Sequence, residues 1–102
     1  MTDPRLSHHA LRVLHVLLEN PRRSLAGSDI CKQTGMLSGT IYPILTRLNR
    51  AGWLDSDWEQ LDPREAGRPR KRLYHLTDLG YNKARRALTE LAVPDGRPAW
   101  NW

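Results

Sequence analysis

Up to Gly52 the apolar residues of this chain recur every three or four positions; just beyond it they alternate, and after Thr77 the helical spacing returns. Helical and strand periodicities place side chains on incompatible faces, so neither pattern can fold as the other. The switch restricts the chain to helices, a short β-hairpin and a closing helix.

Residues 6–20, LSHHALRVLHVLLEN, read as a first helix with Ser7 as N-cap and Pro21 as its stop. Leu6, Ala10, Val13, Leu14 and Leu17 form one face, with Leu11 and Leu18 beside it and Val16 extending it. So wide an arc predicts burial on more than one side, against the chain's own core and a second subunit. SLAGSDICKQTG predicts a second helix capped by Ser24, with Leu25, Ile30 and Cys31 inward and Gly35 ending it. After a third helix, residues 53–59 and 70–77 read as two short strands around a loop with Pro63, Gly67 and Pro69. Thr77 and Asp78 open a last helix, with Ala84, Ala87, Leu88 and Leu91 as its apolar face and Pro94 as its stop.

At 102 residues this is one domain. No apolar run approaches the ~20 residues of a membrane span, and MTDPRLSHH lacks a signal-peptide layout. A single cysteine, Cys31, allows no internal disulfide and predicts a reducing cytoplasm. Sixteen Lys and Arg exceed eleven acids, giving a net charge of +5, and the surplus is concentrated. Arg64, Arg68, Arg70, Lys71 and Arg72 fall within nine positions, Arg47 and Arg50 sit in the third helix, and an acidic stretch from Asp55 to Asp62 separates them. The element order, three helices, a two-stranded wing and a C-terminal helix, is the winged helix-turn-helix plan: mainly α with a small β-hairpin. Residues 1–78 then form the DNA-binding unit, 78–93 a dimerisation helix and 94–102 a tail.

The third helix, within SGTIYPILTRLNRAGWL, carries Pro43 amid the inward series Ile41, Ile44, Leu45 and Leu48. Interior proline costs roughly 3 kcal/mol. Ser38 or Thr40 as cap relieves this: from Thr40, Pro43 is the third helical residue, whose N–H has no intrahelical partner in any case. Gly39, Pro43, Thr46 and Arg50 then point outward, flanked by Tyr42 and Arg47. Small residues at the helix start let the backbone come close to another surface, and the first-turn amides with the positive end of the helix dipole suit phosphate. The competing readings are local: Ser38 and Thr40 as caps alone, Tyr42 packed on the hairpin, Arg47 paired with Asp55 or Asp57.

Two signatures go further. Gly39-Thr40-Ile41-Tyr42-Pro43 with Leu45, Arg47, Leu48 and Gly52, followed by Gly67-Arg68-Pro69 with Lys71, Tyr74, Leu76, Thr77 and Gly80, resembles the PadR family of bacterial winged-helix transcriptional regulators. The resemblance implies a homodimer on a roughly palindromic double-stranded DNA operator, usually a repressor of neighbouring genes released by a small molecule or other signal. It implies DNA roles for Thr40, Tyr42, Pro43 and Arg47 on the recognition helix and for Arg68, Pro69, Arg70 and Lys71 on the wing. Ser38 and Gly39 would offer amides to phosphate. Dimerisation falls to the last helix through Leu88 and Leu91, and to Leu11 and Leu18 of the first. Two features depart from the family: LDPREA lengthens the wing loop, and the last helix ends early, near Val93.

Trp53 and Trp58 are expected to anchor the wing to the core, while Trp100 and Trp102 are candidate walls of an effector pocket. Catalysis is a poor fit, since His8, His9, His15, His75 and Cys31 form no nucleophile or metal motif; no metal or cofactor is expected. The alternative function is a winged helix used for protein or RNA contact without operator binding.

Overall fold

The computed structural model describes residues 3–90. Along the chain run α1 (His8–Glu19), β1 (Leu25–Ala26), α2 (Gly27–Thr34), α3 (Ser38–Arg50), β2 (Leu54–Trp58), α4 (Pro63–Ala66), β3 (Arg72–Leu76) and α5 (Asp78–Glu90). The expected hairpin is β2–β3, with Leu54 opposite Leu76 and Trp58 opposite Arg72. β1 joins the other edge of β3, giving the antiparallel order β1-β3-β2. The architecture is the winged helix-turn-helix that the sequence predicts.

Ser7 caps α1 as expected, its Oγ accepting the Ala10 amide at 3.1 Å. The wide apolar arc of α1 has a different explanation from the one expected. α1 is the central helix and packs on α2, α3, β3 and α5, so one chain takes up most of the arc. Leu11 is only 2% exposed in the single chain and is therefore interior, whereas Leu18 and Leu88 are half-buried. Arg12 of α1 donates to the Thr34 carbonyl at the end of α2, where a cation complements the helix dipole.

α2 starts later than the sequence suggests. Leu25 and Ala26 are drawn into pairing with Tyr74 and Leu73, so Ser24 is not its cap. Asp29 accepts the Ala26 amide at 3.0 Å instead, and Gly35 ends the helix in the left-handed region at φ 74°. α3 starts earlier, with Leu37 as N-cap and neither Ser38 nor Thr40 in that role. Ile41, Ile44, Leu45 and Leu48 face the core as read, beside Val13, Leu14, Leu17, Ile30 and Leu54. Each such side chain contributes about 1.5–3 kcal/mol of transfer free energy.

The α3–β2 turn is tied to the start of α5. Thr77 accepts the Gly80 amide on Oγ1 at 3.0 Å and donates that hydroxyl to the Gly52 carbonyl at 2.6 Å. Its own amide bonds the Trp53 carbonyl at 3.0 Å. Thr77 is thus the cap expected of it, and it also locks two distant segments together. Leu91, the helix end near Val93, and Trp100 and Trp102 of the tail lie outside the described residues.

Candidate nucleic-acid interface

α3 presents its N-terminal end without a side-chain cap. The first backbone bonds of the helix run from Thr40 and Ile41 to the Leu37 carbonyl, at 3.0 and 3.1 Å. The amides of Ser38 and Gly39 precede them and point out of the helix end, where the dipole is positive. Because the cap is Leu37, Pro43 is the sixth helical residue and not the third. Its missing N–H deprives the Gly39 carbonyl of a partner, which is tolerable only because Gly39 and Pro43 are both exposed.

Tyr42 packs neither on the hairpin nor freely into solvent. It lies over Gly27 at the start of α2, where an added Cβ would come within 2.6 Å of the Tyr42 hydroxyl. That contact holds the two helices of the pair together, and leaves 43% of Tyr42 exposed. Further along the same face, Arg47 and Arg50 are exposed and make no ion pair or hydrogen bond among the described residues. The expected alternative, Arg47 with Asp55 or Asp57, is therefore not formed.

The wing continues this face. Ser56 Oγ accepts from Asn49 Nδ2 of α3 at 3.2 Å and from Arg72 Nε of β3 at 3.0 Å. Thr46, Asn49, Arg50, Ser56, Arg72 and Tyr74 line one shallow cleft between the helix and the hairpin. The outer side of α3 and the base of the wing thus form a single concave surface. Arg72 also stacks over Trp58, 5.3 Å from its ring centroid. Trp58 is 56% exposed, so of the two tryptophans expected to anchor the wing only Trp53 is buried in the core.

At the far end, the LDPREA insertion folds into α4, a single helical turn. Asp62 accepts the Arg64 amide at 2.9 Å, Pro63 starts the turn, and Gly67 ends it at φ 69°. Glu59, which sequence reasoning treated only as part of an acidic stretch, organises the base of this loop. Both its carboxylate oxygens are held by Arg68, Nη1–Oε1 at 2.7 Å and Nη2–Oε2 at 3.0 Å. Oε1 also accepts the Lys71 amide at 3.1 Å, and the Glu59 amide donates to the Lys71 carbonyl at 2.9 Å. Arg70 Nε bonds the Leu61 carbonyl at 2.8 Å. Of the expected wing contacts, Arg68 is therefore internally paired, Arg70 is tied to the loop, and Pro69 and Lys71 flank them.

The hydrogen bonds from Arg68 first, then the Lys71 amide, pull the Glu59 carboxyl down from 4.5 to about 2. A carboxyl lowered in the folded state stabilises above its unfolded value and loses that contribution as pH falls. The wing clamp should therefore be intact above pH 4.5 and release between 4.5 and about 2. Carbon-13 shifts of the Glu59 carboxyl check this; a midpoint near 4.5 would show that the clamp does not form in solution.

A helical pair whose second helix shares one concave face with a basic hairpin defines the protein as a winged helix of the DNA-binding kind. The sequence pattern of the "Transcriptional regulator PadR-like family" matches residues 13–86, and the chain belongs to that family. Among solved structures the fold is similar to smu.1704 from Streptococcus mutans UA159, at 26% identity over 87% of this chain and 82% of that one, TM-score 0.64. It is similar to a PadR family transcription regulator from hypervirulent Clostridium difficile R20291, at 20% identity over 82% and 86%, TM-score 0.68. It is also similar to the PcaV transcriptional regulator from Streptomyces coelicolor, solved with its natural ligand, at 27% identity, TM-score 0.65. That match covers 79% of this chain but only 52% of PcaV. A comparison with curated proteins gives no match.

Proposed function

We propose that the chain binds operator DNA as a homodimer, with α3 in the major groove and the β2–β3 wing on the adjacent backbone, and that it represses neighbouring genes until a small molecule or other signal releases it. The observation that carries this reading is the cleft shared by α3 and the wing, which sets Arg50 and Arg72 on one concave surface. Phosphate contacts give affinity and base-edge contacts give choice. Ser38 and Gly39 supply amides to phosphate, Thr40, Tyr42, Pro43 and Arg47 face the groove, and Arg68, Pro69, Arg70 and Lys71 form the wing's contribution.

Dimerisation falls to α1 and α5, which pack together and carry the half-buried Leu18 and Leu88; Leu91 extends the same apolar series. A two-fold pair of recognition helices reads half-sites about 34 Å apart. Effector release finds support in PcaV, a similar structure solved with its natural ligand, and Trp100 and Trp102 are the proposed ligand walls.

Titration against duplex DNA and single-stranded RNA at several salt concentrations, combined with sedimentation at micromolar protein, tests the reading. The expected result is a dimer that prefers duplex, with affinity falling steeply as salt rises. A strict monomer with equal affinity for both polymers would refute it.

A further inference from the structure

Leu37 breaks two ordinary rules at one position. It is the N-cap of α3, where Ser, Thr, Asp and Asn are preferred because a side-chain oxygen can bond the first-turn amides. It is also 80% exposed, more than the other large apolar side chains that reach solvent among the described residues, Tyr42, Trp58 and Leu79. Local packing does not require it. The apolar residue that fixes entry into a helix is the one before the cap, paired with the fourth helical residue. Here those are Met36 and Ile41, both in the core cluster. Leu37 acts as neither cap nor staple.

A lone exposed leucine on an open surface is ordinary. This one differs in its place. Ser38 and Gly39 beside it are exposed and small, and a Cβ at Gly39 would meet open space. Leu37 therefore protrudes at the helix end whose amides are turned outward. We infer that Leu37 reads a thymine, packing its side chain against the C5-methyl group in the major groove as the N-terminal end of α3 enters. Among the four bases only thymine offers an apolar group there. The Ser38 and Gly39 amides fix the end of the helix on the backbone, and Leu37 gives that anchoring a base preference. The inference rests on the DNA-binding reading and adds one specificity determinant to it.

The test uses the full chain and a duplex recovered by selection from a random pool with the unaltered protein. Thymines in that duplex are replaced one at a time, or in symmetry-related pairs, by deoxyuridine, which lacks only the methyl group. One position should cost the unaltered protein about fourfold in affinity, the factor expected for one buried methyl. Leu37→Met, which keeps an apolar side chain, should retain that sensitivity. Leu37→Ser should lose it while raising the thermal midpoint, because it supplies the missing cap. Indifference of the unaltered protein at every thymine overturns the inference and leaves DNA binding standing. So does an unchanged loss in Leu37→Ser, or a lower midpoint for that variant. A selection that enriches no duplex overturns the DNA reading itself, and this inference with it.

Discussion

Gly80→Ala should all but abolish the folded state. An ideal Cβ at Gly80 would lie 1.9 Å from the Trp53 carbonyl oxygen and 2.7 Å from its carbon, so backbone, not a flexible side chain, stands in the way. That carbonyl cannot easily retreat, since it accepts the Thr77 amide, and Trp53 itself is 3% exposed. Nor can α5 swing outward without breaking the Thr77 cap and uncovering Ala84, which is fully buried. Overpacking against fixed atoms costs about 3 kcal/mol or more, and for a chain of this size each kcal/mol lowers the thermal midpoint by roughly 4–8 °C. A fall of less than a few degrees would show that the contact between α5 and the α3–β2 turn is looser than described. Gly39→Ala is the matched control. Nothing lies within 4 Å of a Cβ there, so it should fold at least as well as the unaltered chain, the helical preference of Ala over Gly being worth up to about 1 kcal/mol.

Arg47 and Arg68 should respond to mutation in different ways, although both are arginines on the proposed DNA face. Arg47 has no partner among the described residues, so Arg47→Ala removes a cation and nothing else. Affinity for duplex should fall and the salt slope should flatten by about one unit. Arg68 spends its guanidinium on Glu59. Arg68→Ala removes that cation but also leaves the Glu59 carboxylate uncompensated on the wing, facing phosphate. Its loss should therefore exceed that of a solvated arginine, and adding Glu59→Gln should recover part of it. Glu59→Gln alone should bind DNA more tightly than the unaltered chain, with a salt slope steeper by about one unit, because it removes a negative charge opposite Arg68. Weaker binding by Glu59→Gln would mean that the clamp's geometry matters more to DNA than its charge.

The contrast also shows what the residue pattern carried. The inward faces of α1 and α3 and the hairpin follow from periodicity alone, and the Ser7 and Gly35 boundaries from local capping chemistry. β1 did not, since two residues cannot display a period, and Leu25 and Ala26 also fit the helical spacing of α2. The cap of α3 was misplaced because Ser38 and Thr40 have the better cap chemistry, whereas the fold uses Leu37. α4 left a readable signal, Asp62 before Pro63 with Gly67 beyond, but inside a loop already counted as wing. The Glu59 clamp had none: only the β2–β3 register brings residues 59 and 68–71 together. Gly80 stood out by resemblance, and the approach of Trp53 supplies its physical reason.

The central claim is that the outer side of α3 and the wing strands form one surface that takes up duplex DNA. Amide chemical-shift mapping with a selected duplex tests it most directly. The account predicts perturbations concentrated in residues 37–50 and 56–72, with the outer side of α1 unaffected. Perturbations gathered on α1 and α5, with α3 unmoved, would contradict it.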